Sequence, residues 1–548
     1  MSTSKTSKNN GSNGPRRGAL PEQLPNATDF SSDRAQVNPK WFIETMKQRP
    51  EYWRPLKEAT ELSSPYGRNR IDGHWALAYL AFVVSGDSDV EPFWGTAGHS
   101  IWTCSGFTKG RPSLRATQRR FAELEKVEDA FLEIAKKMIA HAVKASGGRV
   151  GRDIHVDSTE SETHARLKHI CPEDSPCHER KARFVTASLT SDEAREHRHQ
   201  EAEQPEDQMV ELSAGQVDKV EFDAPPSPYD DKLGRKVKKV KVGGCWYACL
   251  DPDAGIRAYI RHGKVKRFWV GYYNGKAIDH YTGAPVGVLV HSASLNEATT
   301  YPELYERAFE ATGKAPRAVV ADRGYSLSAV FEHNTKRGVA TVAPWRARTG
   351  KFNNREMEDT DRYDRHGIVR CKYCGGPTTQ LRFTAGDKPR QWVKCAEPAP
   401  GSDCESKTQT IMCSEDWRLL VPLWRNTEAY LALEDSSRAY ERVHHLWRSR
   451  YRVGADTHHD RPKRRGRATQ QLRATVALIA EWLQILHREG WLGSARRLLR
   501  ESRLNTAKRA VEKLTDFRAA AGLDKPYGEI AKQLGIGALK PKPRLASG

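Results

Sequence analysis

The sequence predicts an α/β protein in which a mixed sheet is flanked by helices. Its central part alternates short apolar runs of strand length with segments of helical apolar spacing, which is typical of a sheet interleaved with helices. Two of the strand-like runs, around Ile154 and Val156 and from residue 318 to 321, lead directly into an aspartate. Longer helical patterns lie before and after this region, so the sheet is expected to be one part of a larger chain.

A helical domain is predicted ahead of the sheet. Residues 1–40 are polar and rich in Gly, Ser and Asn, without the apolar stretch of a signal peptide, and we expect a disordered lead there. Apolar residues from Leu114 to Ile139 recur at helical spacing. Residues 41–148 are therefore predicted to form a helical N-terminal domain.

The first part of the sheet domain is assigned to residues 149–346. It carries an insertion at about 190–235, because 13 acidic and 3 basic residues occur between 191 and 231. A low apolar content with charge of one sign is typical of disordered loops. The run from 318 to 321 is apolar at every position, which predicts a buried strand that ends on Asp322.

Three segments complete the predicted organisation. Residues 347–420 are polar, aromatic and rich in cysteine, and we interpret them as an inserted β-rich subdomain. Residues 421–490 have helical patterns and are expected to complete the sheet domain. Residues 491–548 are predicted to form a basic helical C-terminal region.

The chain is strongly basic, with a net charge of +20 over 548 residues. Most of the excess lies between Arg438 and Gly548, where there are 25 Lys and Arg but 10 Asp and Glu. A basic surface of this size favours a polyanionic partner, because phosphate contacts supply affinity without sequence information. We therefore expect nucleic acid to bind, with Arg115, Arg119 and Arg120 as further contact candidates. The alternatives are a solvated positive surface and a helical bundle that only supports the core.

Composition also predicts where the protein works. No run of about 18 apolar residues occurs, so the sequence predicts no membrane-spanning helix. Since no export signal is evident, the ten cysteines are expected to be metal ligands or buried thiols and not disulfides. The expected location is cytoplasmic and nucleoid-associated.

The cysteines cluster in the 347–420 segment. Cys371 and Cys374 form a CxxC knuckle followed by two glycines, and with Cys395 and Cys404 they are predicted to hold a structural Zn²⁺. Cys413 is an alternative to either member of the second pair. A second candidate zinc cluster, for which scattered surface histidines and buried cysteines are the alternative, consists of His164, His169, Cys171, Cys177 and His178.

Three carboxylates are candidates for a two-metal site. Cutting a phosphodiester bond needs an activated nucleophile and a stabilised leaving oxygen, which two Mg²⁺ ions about 3.5–4 Å apart supply. Because Mg²⁺ takes oxygen ligands and keeps several waters, a few convergent carboxylates suffice. Asp157 and Asp322 follow predicted strands, and Glu441 lies in an arginine-rich helix. For any one of them alone, a turn residue or a helix cap is the competing interpretation.

The stretches around these carboxylates resemble a known family. HVDST at the first strand, DRGYS after an apolar strand and SSRAYERVHHLWRSRYRVG in a late helix resemble the motifs of bacterial insertion-sequence transposases of the DDE class. The resemblance covers roughly residues 150–345 and 415–490. It implies an RNase H-like core in which Asp157, Asp322 and Glu441 are catalytic and hold two Mg²⁺ or Mn²⁺ ions.

The family's activity defines the function that the resemblance implies. A DNA transposase cuts transposon ends and joins them to target DNA, so the implied partners are double-stranded DNA, as terminal inverted repeats and target, and a second copy of the chain in a homodimer. The implied DNA-binding residues are Arg323, Tyr325, Arg438, Arg442 and Arg448, of which the first two also support the Asp322 loop.

The sequence departs from the family pattern near the glutamate. Arg448 stands where the family has a lysine, and Arg438 is one position closer to Glu441 than the family's arginine is. The inserted segment also resembles a β-rich insertion of some members, in which Trp345 and Trp392 would hold a flipped base; core positions are the alternative. Two other functions stay open, a non-catalytic DNA-binding regulator derived from a transposase and a related RNase H-like nuclease.

Overall fold

The computed structural model describes 330 of the 548 residues. The described residues are 38–62, 73–162, 167–170, 239–242, 245–249, 251, 253–261, 264–345, 363–364, 367–402, 404, 408–414, 416–425, 427–453 and 466–492. The predicted lead before residue 38, the acidic insertion and the C-terminal region after residue 492 lie outside them. The chain divides into two compact units, Met1–Trp491 and Leu492–Gly548, and every element below belongs to the first.

Helices form the part of the chain that precedes the sheet. They are α1 (Pro39–Lys47), α2 (Pro50–Leu62), α3 (Gly73–Val84), α4 (Val90–Thr96), α5 (His99–Ser105), α6 (Leu114–Glu123) and α7 (Glu128–Ala145). The centre of this bundle is α3, in which every residue from Trp75 to Val84 is buried. A helix that is apolar all round must be enclosed by others, and α1, α2, α5 and α6 pack around it.

The strands of the described residues form three separate sheets. Their bounds are β1 (Asp153–Glu162), β2 (Leu167–His169), β3 (Lys239–Val242), β4 (Cys245–Cys249), β5 (Gly255–Arg261), β6 (Lys264–Asp279), β7 (Pro285–Ser292), β8 (Ala318–Ala321), β9 (Ala340–Val342), β10 (Thr378–Thr384), β11 (Arg390–Cys395) and β12 (Thr408–Met412). A small sheet has the order β2-β4-β3, and another has the order β10-β11-β12.

The main sheet is mixed. Across its width the strands follow the order β7-β6-β1-β8-β9, in which β6 is antiparallel to both β7 and β1, while β8 and β9 run parallel to β1. The first half of β6 also pairs with β5. This sheet and its flanking helices confirm the predicted mixed α/β fold.

Helices cover the main sheet from several sides. Those that follow β7 are α8 (Glu297–Thr312), α9 (Ser328–Lys336), α10 (Glu428–Asp435), α11 (Ser437–Tyr451) and α12 (Arg467–Arg488). Gly287 of β7 lets α8 approach closely, because a Cβ there would lie 3.1 Å from the Ala308 backbone nitrogen. On the edge strand β7, Gln471 and Trp482 of α12 bond to backbone groups of Val290 and Pro285, which covers that edge. Across the described residues, no helix combines the length and the apolar character that spanning a bilayer requires.

The cysteine-containing sheet has its own small core. Its central strand β11 pairs antiparallel with β10 and with β12. The buried residues beneath it are Trp345, Val369, Val393, Ile411, Leu419 and Leu420. This sheet therefore packs on Trp345, which follows β9, and on Leu419 and Leu420, which precede α10.

Candidate active site

The register of β1 and β8 brings the two predicted aspartates side by side. These strands are parallel, and Val156 lies opposite Ala321. Asp157 is the next residue of β1, and Asp322 is the first residue after β8. Because neighbouring strands lie about 4.8 Å apart, the backbones of these two residues lie close together.

One detail of the strand prediction is wrong. The apolar pattern indicates a strand that ends before Asp157, but β1 continues to Glu162. The extension exists because β6 keeps pairing with β1 as far as Glu162 opposite Gly271. Asp157 is thus a mid-strand residue that stands beside the end of β8, where the neighbouring strand gives way to the Asp322 loop.

The Asp322 loop is a short 3₁₀ turn, Arg323–Tyr325, that the aspartate itself caps. Asp322 Oδ1 accepts a hydrogen bond of 2.8 Å from the Gly324 N–H. Arg323 and Asp322 are exposed, whereas Tyr325 is buried. The Tyr325 hydroxyl lies 2.9 Å from Ser158 Oγ, which joins the loop to the residue after Asp157.

Helix α11 presents one buried face to the sheet. Its buried residues recur at helical spacing: Tyr440, Val443, His444, Trp447 and Tyr451. His444 Nε2 lies 3.0 Å from Asp157 Oδ2, so this histidine is the helix residue that reaches the first aspartate. Glu441 is exposed and precedes His444 by three positions, which places it one turn earlier along the same helix.

A buried lysine completes the surroundings of Asp157. Lys276 of β6 stands directly opposite Asp157 in the antiparallel pair, and its side chain is fully buried. Its Nζ lies 3.0 Å from His444 Nδ1. Lys276 and His444 are not among the site residues that the sequence predicts. Helical spacing from Glu441 could have indicated His444, but a lysine inside a strand gives no local signal.

Burial sets the protonation of these groups. It lowers the pKa of His444 to about 4, with a further lowering by the neighbouring Lys276 charge. Burial also lowers the pKa of Lys276 to about 7. Burial raises the pKa of Asp157, but the contact with His444 outweighs this, and the net pKa lies below its usual value. At neutral pH the site therefore holds a carboxylate next to a neutral imidazole.

The predicted arginines lie on α11 and in the Asp322 loop. Arg442 is exposed and Arg448 is half-buried, seven positions after Glu441 and four after His444. Arg438 lies in the first turn of α11, but its side chain is outside the described part of the chain. Arg448 thus shares a helix face with Glu441 and His444, and its charge acts on the pKa of both His444 and Lys276.

The four predicted cysteines form one compact cluster. The sulfur atoms of Cys371, Cys374, Cys395 and Cys404 all lie within 4.8 Å of one another. The Cys371–Cys404 and Cys374–Cys395 sulfur distances are 3.7 Å and 3.5 Å. Four thiolates around one tetrahedral Zn²⁺ with bonds of about 2.3 Å would lie about 3.8 Å apart. The donor set and its spacing therefore fit a structural metal such as zinc.

Cys413, Trp345 and Trp392 are the remaining candidates for metal or base binding. Cys413 packs against the core of the cysteine-containing sheet and is not part of the sulfur cluster. Trp345 is buried, with the guanidinium carbons of Arg418 and Arg425 at 4.3 Å and 5.0 Å from its ring centroid. Trp392 is half-buried on β11, with Arg382 at 5.4 Å.

The second candidate zinc cluster cannot be placed. His164, Cys171, Cys177 and His178 lie outside the described residues, and so does the side chain of His169. Within the described residues, the four-cysteine cluster is the one group of three or more Cys, His, Asp or Glu whose ligand atoms lie within 4.8 Å of one another.

Comparison with known proteins adds one similarity. No protein-family model matches this chain, and no curated protein does. Among solved structures, the chain is similar to a piggyBac transposase seen by cryo-electron microscopy in a synaptic complex with hairpin DNA, with a TM-score of 0.29 and 10% identity. The similarity covers 94% of this chain and 88% of that chain. A TM-score of this size does not establish a shared fold.

Proposed function

We propose that this protein is a DNA transposase of the DDE class. The single observation that carries the proposal is the β1–β8 register, which makes Asp157 and Asp322 neighbours although 164 residues of chain lie between them. Two carboxylates at adjacent positions of a sheet suit an oxygen-ligated divalent cation. The sheet order and the strand directions support the RNase H-like core that the sequence motifs imply.

In this proposal, Asp157, Asp322 and Glu441 hold two Mg²⁺ or Mn²⁺ ions. Such ions supply charge stabilisation and an activated oxygen nucleophile for cutting and joining phosphodiesters. The protein's own residues orient the reactants. Asp157 is held by His444, and Asp322 is held by its turn.

Arginines bind the DNA strands in this proposal. Arg323, Arg438, Arg442 and Arg448 bind backbone phosphates, for which guanidinium groups provide paired donors. Tyr325 is the supporting residue that links the Asp322 loop to β1. The partners are double-stranded DNA, as transposon ends and target, and a second copy of the chain in a homodimer. We further propose that the four cysteines hold Zn²⁺ and that the protein acts in the cytoplasm, on the nucleoid.

Strand cleavage tests the proposal. The substrate is a supercoiled plasmid that carries the genomic sequence flanking the coding region, with Mg²⁺ or Mn²⁺. We expect the wild type to nick it, and Asp157→Ala, Asp322→Ala and Glu441→Ala each to lower the rate by at least about 10³-fold, since each removes a metal ligand. DNA binding, measured by gel shift, should persist in all three variants.

The contrary results are equally informative. Cleavage that survives one substitution removes that carboxylate from the site. A wild-type protein that binds the flanking DNA but cuts none of it points to a DNA-binding regulator. Cutting without joining of ends to a second plasmid points to a nuclease.

A further inference from the structure

A fully buried lysine lies beside the candidate metal site. Lys276 stands opposite Asp157 in the β1–β6 pair and has no exposed surface. Burying an ammonium group costs free energy unless it is paired, so such a residue requires partners. The structure gives Lys276 Nζ two: His444 Nδ1 at 3.0 Å and the Trp447 ring, whose centroid is 5.3 Å away.

The contact with Lys276 sets which ring nitrogen of His444 carries the proton. In its charged form the lysine can only donate, so His444 Nδ1 then accepts and the ring proton sits on Nε2. That nitrogen lies 3.0 Å from Asp157 Oδ2. The imidazole therefore lies between β6 and β1, with Nδ1 bonded to Lys276 and Nε2 within 3.0 Å of the Asp157 carboxylate.

The other oxygen of Asp157 is also held. Oδ1 accepts a 2.8 Å hydrogen bond from the Ser158 N–H, and Ser158 Oγ contacts the Tyr325 hydroxyl at 2.9 Å. The Asp157 side chain nevertheless keeps 26% of its surface exposed. Each carboxylate oxygen has two lone pairs, so both can accept these bonds and still face a ligand on the open side.

We propose that His444 and Lys276 are positioning residues for the cation site at Asp157, Lys276 by setting the His444 tautomer and His444 by orienting the carboxylate. The inference rests on the proposed function, in which Asp157 is a metal ligand. Hydrogen-bond partners behind a metal ligand hold it in its binding orientation before the ion arrives, and losing such a partner typically weakens metal binding by about 10–100-fold.

Divalent-ion affinity of the full chain tests the proposal without any reaction. Mn²⁺ binding is measured by the electron paramagnetic resonance signal of the free ion, for the wild type and for two variants at one position. His444→Phe keeps the ring but removes both nitrogens, and should weaken Mn²⁺ binding about 10–100-fold. His444→Gln keeps an N–H that can reach Asp157 and should recover most of the affinity.

Two further variants complete the design. Lys276→Met keeps the length of the side chain and removes the charge, which frees the His444 tautomer and should weaken Mn²⁺ binding several-fold. His141→Phe is the matched control, because His141 contacts the Tyr52 hydroxyl in the helical bundle and not the sheet. Its Mn²⁺ affinity should equal that of the wild type. Urea unfolding reports on the folding of each variant.

The outcomes separate this inference from the function on which it rests. Wild-type Mn²⁺ affinity in folded His444→Phe or in folded Lys276→Met overturns the positioning role. If His444→Phe does not fold, the affinities of His444→Gln and Lys276→Met decide, and wild-type affinity in Lys276→Met overturns the role of the lysine. Loss of affinity in Asp157→Ala shows that the metal site itself exists, whereas unchanged affinity there contradicts the proposed function instead.

Discussion

Polar residues on the α11 side of β1 and β6 are the most unusual residues of this fold. The centre of a mixed sheet is normally apolar, yet His155, Thr159, Asn274 and Lys276 are all buried there. Lys276 is paired with His444, and His155 stacks on Tyr440 with 4.7 Å between ring centroids. Buried polar groups of this kind lower stability unless each is paired, and they cluster at functional sites.

Asn274 provides a residue-scale prediction. It is 2% exposed, and neither its Oδ1 nor its Nδ2 has a hydrogen-bond partner within the described part of the chain. Replacing an unpaired buried amide with an apolar group of similar size removes a desolvation penalty. We therefore expect Asn274→Leu to raise the free energy of unfolding by about 1 kcal/mol. Urea unfolding at pH 7 measures it.

Asn334 is the matched control for that prediction. This buried amide is paired on both sides, with Tyr301 Oη donating to its Oδ1 at 2.6 Å and its Nδ2 donating to Thr341 Oγ1 at 2.9 Å. Asn334→Leu leaves both partners unpaired and should lower the free energy of unfolding by about 1–3 kcal/mol. An equal loss of stability in both variants would mean that Asn274 is paired in solution.

At the scale of elements, the four clustered cysteines lie close to the strands of the β10–β11–β12 sheet. The sheet has few core residues, and Cys371 and Cys374 precede β10 while Cys395 ends β11. The knuckle is tight, since the Cys371 N–H bonds to Gly376 O at 2.8 Å and a Cβ on Gly376 would meet Glu397 O at 2.1 Å. A metal bound to four sulfurs would tie these ends together.

Metal removal is the prediction at this scale. We expect the purified chain to hold one zinc ion in this cluster. Atomic spectroscopy of the wild type and of Cys395→Ser should therefore show one zinc per chain less in the variant. Removal with a chelator should speed amide hydrogen exchange in residues 367–414 and leave β1 and β6 protected.

Cys413→Ser provides the control for the cluster. Cys413 packs on the core and its sulfur is outside the group of four, so its variant should keep the same zinc content as the wild type. Loss of zinc from Cys413→Ser, or unchanged zinc in Cys395→Ser, would contradict the assignment of the ligands.

At the scale of the molecule, α12 joins the helical bundle to the sheet and to α11. It packs against α7, α3 and β7, and most of its residues are buried. Arg473 donates through Nε to Tyr451 O at 2.7 Å and lies with its guanidinium carbon 5.0 Å from the Phe82 ring centroid. Because one helix contacts all three parts, we expect this unit to unfold cooperatively.

The pH dependence of that unfolding is the prediction for the whole molecule. Burial lowers the pKa of His155, His333 and His444 from 6.5 to about 4. Between pH 6.5 and 4 the unfolded chain binds protons at these positions that the folded chain does not. The three histidines should therefore lower the free energy of unfolding as the pH decreases from 6.5 to 4, and Asp279, whose pKa burial raises to about 6, offsets part of this fall.

Replacing His333 measures the contribution of one histidine to the pH dependence of unfolding. His333 packs edge-on against Tyr301 and Tyr305, and its ring centroid lies 5.5 Å and 4.9 Å from theirs. His333→Phe keeps the ring contacts and removes the titrating group, so the fall in unfolding free energy between pH 6.5 and 4 should be shallower. A slope identical to that of the wild type would show that His333 is protonated in the folded chain as well.

The sequence by itself determined the class of fold and one cluster of side chains. Apolar periodicity predicted the mixed α/β fold, and the CxxC knuckle with Cys395 and Cys404 predicted a cluster that the structure brings together. These signals are local, because side-chain alternation and turn residues reflect the conformation of neighbouring positions.

Only the tertiary structure decided which distant residues meet. Strand register placed Asp157 beside the end of β8 and opposite Lys276. Helix packing brought His444 to Asp157 and to Lys276, although the histidine and the lysine are 168 positions apart along the chain. A shift of one residue in either register would turn these side chains to the other face of the sheet. Register and packing depend on the sum of many long-range contacts, and no local pattern in a single sequence encodes that sum.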